Sequence, residues 1–548
     1  MERFDASAVR YTFVDRRNNG EMKMQKRFLL PVAALAAISW GSSSVPSYAQ
    51  GPGAAQANGH GNARVIVGFK PGARAAAQSA IAAAGGRVAV DLSEVNGMAV
   101  ELPAAAVAAL QRNPNVEFIE NDPPRHAFGT PTPTALPGTP QTTPYGITMV
   151  QADQVSDTAA GDRRLCIIDS GVDAGHEDLT GNILNGENLT NSGQWYTDEN
   201  SHGTHVTGTI AAIENAVGVV GVIPHRQINL YIAKVFDASG EAASSLITRA
   251  MLDCNAAGAN VVSMSLGGSG VSTAEFRATE RLAQNNVLLI AAAGNDGDTS
   301  ISYPAGFPNV VSVAAVDSRK TQASFSQSNA DVELAAPGVD VLSTVPIGSQ
   351  IAASVTAGNK SYEALPMESS SLASASGPLA DFGLGDAAVA GSMSGKVCLI
   401  QRGTISFSEK VLNCQNSGGV GAIVYNNTDG ELNGTLGTTV TTIPSVGTLQ
   451  STGQTLLKKA GQLATVSVFR NNDAYATYSG TSMATPYVSG VAALVWSYYP
   501  QCTAAQIRNT LDSSAQDLGD PGRDPKYGFG LVQAKAALDR ITALGCGN

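Results

Sequence analysis

Hydrophobic and polar positions in the first part of the chain switch between the period of a strand and that of a helix. RVIVGF (64–69) has the two-residue period of a strand, and GARAAAQSAIAAAGG (72–86) is an alanine-rich helical run stopped by its glycines. RVAVDL (87–92) and GMAVEL (97–102) read as two further strands around the turn at Val95-Asn96-Gly97. Pro103 opens a second helical run, and VEFIEND (116–122) is a last strand. The order βαββαβ predicts a split βαβ unit. Farther along, RRLCIIDSGVD (163–173) is an apolar strand ending in an acid, and SHGTHVTGTIAAI (201–213) is a helix rich in small residues. VLLIAAAGNDG (287–297) is a buried strand leading into a Gly-Asn turn, and GTSMATPYVSGVAALVWSYY (480–499) a buried helix.

Upstream, the pattern has a different meaning. A basic start (Lys23, Lys26, Arg27), an apolar stretch at 28–38 and a small-residue end at Ser47-Tyr48-Ala49 predict a secretory signal cut near Ala49. That stretch is shorter than the roughly 18 residues of a membrane-spanning helix, and no later apolar run reaches that length, so stable membrane insertion is not expected. Residues 1–21 read as an extension upstream of a start at Met22 or Met24. The Gly/Ala-rich stretch 50–63 reads as a linker.

Composition narrows the classes. At roughly 150 residues per domain, 548 residues hold three to four folding units. A net charge of −11 argues against a nucleic-acid-binding protein, which needs a basic face. With 43% hydrophobic residues there is material for large cores, so a mainly disordered chain is excluded. Six cysteines are an even number but too sparse for a miniature disulfide scaffold.

Taken singly, the polar residues of the later motifs have ordinary explanations. Asp169, just beyond a strand, could be a helix cap or turn residue, although functional residues of open α/β sheets sit at that place. His202 and His205, three apart, could suggest a metal, but no third ligand follows at a zinc-like spacing. Ser482 at a helix start reads as an N-cap, and Asn295 as a turn residue. Chemically, the set has another use. A serine hydroxyl needs a base within hydrogen-bond reach, and an imidazole titrating near neutrality can take and return its proton. A carboxylate can fix the imidazole's tautomer.

The order Asp, His, Ser, each inside an extended specific string, resembles the subtilase family from about residue 64 to 540, apart from one insertion. The resemblance implies a doubly wound, mainly parallel α/β sheet, formed by 129–346 and 473–548. Its triad would be Asp169, His202 and Ser482, with Asn295 donating its side-chain amide to the oxyanion. Residues 64–128 resemble the family's inhibitor-type propeptide, an α+β unit that acts as inhibitor and folding aid. VEFIENDPPRHAF (116–128) resembles the segment such enzymes cut from themselves, which implies cleavage between Phe128 and Gly129. Ser265, Leu266 and Gly267 would pair with an extended protein or peptide substrate, and Ala292, Gly294 and Ser302 would line the pocket for an apolar or aromatic residue. Gln141, Asp178 and Asn215, with the carbonyls of Ile213, Val217 and Val219, match the family's calcium site, a set of hard oxygens. Tyr487 departs from the family, which often has His there.

Residues 347–472 separate the core's last strand from the serine helix, far longer than the roughly 15 residues of an unstructured loop. GKVCLIQRG (395–403) and VGAIVYNN (420–427) predict strands, 406–419 and 450–461 helices, and the Ser/Ala-rich 348–376 a flexible lead-in. This insert resembles the β-rich protease-associated (PA) domain. Preferred disulfides are Cys398–Cys414 and Cys502–Cys546, leaving Cys166 and Cys254 as a possible pair or as buried thiols. The expectation is a secreted, calcium-stabilised, monomeric serine endopeptidase made as a zymogen. The alternative is a binding protein that keeps the fold without the activity.

Overall fold

The computed structural model describes residues 62–132, 140–430, 432, 434–437 and 439–546. The expected signal segment and nearly all of the linker lie outside them.

The first unit is a four-stranded antiparallel sheet in the order Arg87–Leu92, Gly97–Pro103, Asn62–Phe69, Val116–Asn121. Asn96 takes the left-handed conformation the turn requires (φ 56°). One face buries Val65, Val67 and Phe69 beneath Ala77 and Ile81 of the helix Arg74–Ala83. The other gives Ile66, Leu92 and Ala99 to a core shared with the helices Ser244–Ala256 and Thr273–Gln284. The second helical run is short, Val107–Leu110 after one tight turn.

The central body is a seven-stranded parallel sheet: Val332–Pro337, Val310–Val316, Leu288–Ala292, Val261–Met264, Arg164–Asp169, Asn229–Lys234, Ile183–Asn188. Its inner strands are almost wholly apolar because both faces are covered. Helices His202–Ala211 and Thr481–Tyr498 cover one face, and Ser244–Ala256 and Thr273–Gln284 the other. The chain lays down Arg164–Asp169 first, builds toward one edge, then crosses over to Val261–Met264 on the opposite side. The carboxyl ends of those two neighbours therefore flank the switch point where α/β folds place their sites. Thr481–Tyr498 is buried along nearly its whole length, as a helix of small and apolar residues on all sides must be. Tyr487 fits there because Gly146 leaves room: a Cβ on Gly146 would fall 2.2 Å from its hydroxyl.

The inserted unit leaves and re-enters through adjacent antiparallel strands, Val341–Thr344 and Tyr475–Ser479. It holds an eight-stranded mixed sheet with helices Phe407–Asn416 and Gln450–Leu457. The expected flexible lead-in is instead structured. Ile351–Ala357 and Ala373–Asp381 both pair with Leu463–Arg470, one on each side. Ser374 and Ser376 are strand residues that bond across to Ser467 and Thr465 (each 2.7 Å). Three disulfides join Cys398–Cys414, Cys502–Cys546 and Cys166–Cys254, so the last two are not buried thiols. Cys166 and Cys254 meet because the helix Ser244–Ala256 packs across the strand Arg164–Asp169. Among the described residues, no helix is long and apolar enough to cross a membrane.

Candidate active site

Asp169 ends its strand at the switch point, fully buried, and its Oδ1 accepts from His202 Nδ1 (2.8 Å) and the Ser170 amide (2.8 Å). His202 opens its helix, which lies hard against the aspartate's loop: a Cβ on Gly203 would sit 2.1 Å from the Gly171 carbonyl oxygen. A second acid, which no sequence motif singles out, ties this corner together. Buried Asp198 accepts from Ser170 Oγ (2.8 Å), the Ser201 amide (2.8 Å) and both the amide and hydroxyl of Thr204 (2.8 and 2.7 Å). Burial pushes the His202 pKa down, but the charge and hydrogen bond of Asp169, with help from Asp198 and the Phe128 carbonyl, outweigh it and hold the imidazole above its ordinary value. His205 turns away from this cluster. Its Nε2 meets the carbonyls of Val341 and Ala476 (3.0 and 3.2 Å), and burial pushes its pKa down to about 3, so it is a neutral packing residue and forms no metal pair with His202.

Ser482 lies in the first turn of Thr481–Tyr498, whose N-cap is Gly480. Its Oγ donates to the Ser265 carbonyl (2.7 Å) and accepts from the Phe128 amide (3.0 Å). The expected bond to His202 is therefore not made, and among the described residues His202 Nε2 has no hydrogen-bond partner. Such bonds often form only in the reacting complex. Asn295 Oδ1 accepts from the Thr481 amide and hydroxyl (2.9 and 2.8 Å), which turns Nδ2 toward the cleft. Nδ2 and the Phe128 carbonyl oxygen both lie close to Gly480, where a Cβ would be 3.0 and 2.4 Å from them.

The chain's own segment occupies the cleft. Pro124–Ala127 is the middle strand of a three-stranded antiparallel sheet between Glu241–Ala243 and Leu266–Gly267, in the register Ala127↔Leu266 and His126↔Gly267. The Phe128 ring lies against Gly267, where a Cβ would be 2.7 Å from the ring and 2.4 Å from Ser302 Oγ. Ala292 and Gly294 are buried at the end of the strand Leu288–Ala292, and the Gly294 amide bonds to Thr481 Oγ1 (3.2 Å). Gly129 lies beside the imidazole, with His202 Nε2 3.3 Å from the position its Cβ would take.

Two further carboxylates dock this segment, and no local pattern announced them. Glu120 accepts from the amides of Thr273 and Ala274 (2.9 and 3.2 Å) and Asp122 from that of Ser245 (2.8 Å), so each caps a helix N-terminus of the central body. Anions at those ends are favoured by the aligned peptide dipoles. Arg125 is fully buried against Glu275.

The residues of the expected calcium site also converge. Gln141 Nε2 donates to the carbonyls of Ile213 (2.8 Å) and Val219 (3.0 Å) and to Asn215 Oδ1 (3.3 Å). Asp178 Oδ1 accepts from Asn215 Nδ2 (2.8 Å), Oδ2 from the Val219 amide (2.8 Å), and the Val217 amide donates to Asn215 Oδ1 (3.0 Å). Burial raises the Asp178 carboxyl above its usual range, against the pull of these hydrogen bonds.

Comparison with known proteins agrees with this architecture. The subtilase family profile matches residues 162–381 and 425–530, the PA domain profile 364–456, and the fervidolysin N-terminal prodomain profile 54–122. Subtilisin E of Bacillus subtilis is 27% identical over 485 residues, covering 86% of this chain and 90% of its own. Subtilisin DY of Bacillus licheniformis is 29% identical over 403 residues, covering 72% and 99%. Among solved structures, the psychrophilic subtilisin-like protease Apa1 from the Antarctic psychrotroph Pseudoalteromonas sp. AS-11 shares 44% identity with a TM-score of 0.53, covering 74% of this chain and 100% of its own.

Proposed function

The chain belongs to the subtilase family of serine endopeptidases and carries an N-terminal prodomain, and from that premise we propose that it is a secreted zymogen that cuts itself between Phe128 and Gly129 with Asp169, His202 and Ser482. In this reading 64–128 is the propeptide, 129–346 with 473–548 the catalytic domain, and 347–472 the insert. The observation that carries it is the lie of Phe128: amide on Ser482 Oγ, ring against Gly267, carbonyl oxygen close to Gly480, as Asn295 Nδ2 is.

The chemistry follows from the atoms. Ser482 Oγ gives its proton to His202 Nε2 and bonds to the Phe128 carbonyl carbon, while Asp169 holds the other ring nitrogen and balances the imidazolium. The carbonyl oxygen becomes an oxyanion that accepts a hydrogen bond from the Asn295 amide, in a water-poor site where such a bond is strong. His202 then passes its proton to the departing nitrogen of Gly129, the C–N bond breaks, and water releases the Phe128 acyl group by the reverse sequence. The strand Pro124–Ala127 stays paired on both sides after the cut, so the propeptide remains as inhibitor. The same pairing recruits extended protein substrates, and the uncharged pocket takes apolar or aromatic residues before the cut.

Gln141, Asp178 and Asn215 with the carbonyls of Ile213, Val217 and Val219 would hold calcium. The fit is that of the donor set: one carboxylate, two amides and backbone oxygens, three of these acceptors now gathered on a single amide nitrogen. Bound calcium would supply charge neutralisation at that loop and stabilise the fold. Export is supported by the N-terminal pattern and by three disulfides, which persist in oxidising compartments.

Labelling with a serine-directed fluorophosphonate tests the reading. The probe is expected on the peptide containing Ser482 and absent from Ser482→Ala; equal labelling of both proteins would contradict it.

A further inference from the structure

The sequence Ser272-Thr-Ala-Glu275 has the form of a capping box, in which the glutamate would reach back to the N-cap amide. Ser272 does its part, accepting from the Glu275 amide (3.3 Å). The Glu275 carboxylate does not return the bond and is turned to Arg125 instead, 150 residues away. Both side chains are fully buried. Glu275 Oε1 accepts from Arg125 Nε (3.2 Å) and Oε2 from Nη2 (2.6 Å), the parallel fork that fits a guanidinium to a carboxylate. The remaining three N–H donors go to carbonyls: Nη1 to Pro124 (2.9 Å) and Ser269 (3.2 Å), Nη2 to Gly270 (2.9 Å). All five donors of the guanidinium are used.

Arg125 stands three residues before Phe128 on the strand held between two walls of the cleft. When the tail departs, Arg125 goes with it, and so do the nearby acids Glu120 and Asp122, whereas Glu275 and the carbonyls of Ser269 and Gly270 stay. Even with Arg125 in place, burial keeps the Glu275 carboxyl above its ordinary range. A substrate residue that covers the carboxylate without pairing it leaves a costly buried charge, and one that restores the fork removes that cost.

We infer that Glu275 selects arginine as the fourth residue before the cut in substrates, through the pocket that Arg125 fills. This rests on the reading that Ser482 cuts after Phe128. Lysine, a point charge with three donors, would fill the same pocket without making the fork. An alkyl or acidic residue there would leave or worsen the unpaired charge.

The test uses mature enzyme and four quenched peptides of the form Pro-Xaa-His-Ala-Phe-Gly, with Xaa as Arg, Lys, Leu or Glu, compared by kcat/KM. The expected order is Arg, Lys, Leu, Glu, with Arg ahead of Leu by at least about thirty-fold, the loss that follows when one side of a buried charge pair is missing. In Glu275→Gln the Arg-to-Leu ratio should fall to about three-fold or less, since the charge that made the difference is gone. Cleavage of all four at similar rates in wild type would overturn the selection while leaving the endopeptidase intact, and would restrict the pair to docking the propeptide. Cleavage of none would overturn both. Should Glu275→Gln fail to mature, the wild-type series decides alone.

Discussion

Two buried acid–base pairs flank the segment in the cleft, and they differ in what happens to them when that segment leaves. Asp169 and His202 both belong to the catalytic body, with the acid fixed by the Ser170 amide and the imidazole by its helix. Glu275 and Arg125 meet across the cleft, and half of the pair would depart with the segment once the chain is cut after Phe128. A pair whose members both stay can store and return a proton in every turnover. A pair that must be remade by each substrate can only choose among substrates. The first kind should therefore set the rate for all peptides alike, and the second should set their order.

The sharpest way to break this division is at the centre. Ser482→Ala should lower kcat about a million-fold on every peptide whatever residue stands fourth before the cut, a magnitude that is subtilisin's own. A loss confined to arginine peptides would erase the distinction. Asn295→Ala should cost about a hundred- to a thousand-fold, again the subtilisin range, and again without re-ranking the peptides; kcat measured on the same series checks this.

A smaller effect is expected from pH. His202 accepts a proton only when neutral, and its pKa lies above the ordinary 6.5 in the segment-bound state. The rate of self-cleavage should rise with pH through a midpoint above about 6.5, the ordinary imidazole value. The sign for stability is opposite: the charged imidazole's favourable contacts stabilise fully below the unfolded value and are lost as pH rises through the folded one. Quenched-flow processing at several pH values gives the midpoint, and one below about 6 would contradict the arrangement. The smallest effect concerns neither pair. Chelation should lower Tm by about 5–10 °C if calcium stands near a hundred times its Kd, and Asp178→Asn should remove that sensitivity, with the order of peptides unchanged.

What the sequence made legible follows the same division. Asp169, His202, Asn295 and Ser482 each lie in a local string whose strand end, helix start or turn is set by neighbours a few residues away, so the elements carrying them can be read in advance. The helix partners of Arg125, Glu120 and Asp122 lie more than 100 residues off, at N-termini that show no sign of waiting for this segment. Asp198 gives no signal because its role is to collect amides from a loop of irregular backbone, including Ser201 at φ 78°. The Ser/Ala-rich strands of the insert pass for a flexible lead-in because their stability comes from a partner, Leu463–Arg470, far downstream in the chain.

The most direct measurement is the N-terminal sequence of the matured protein beside that of Ser482→Ala. A wild-type chain beginning at Gly129 and an uncut variant would agree with Phe128 being presented to Ser482 within its own molecule. A different first residue, or equal maturation of the variant, would mean that the segment in the cleft is not what this enzyme cuts.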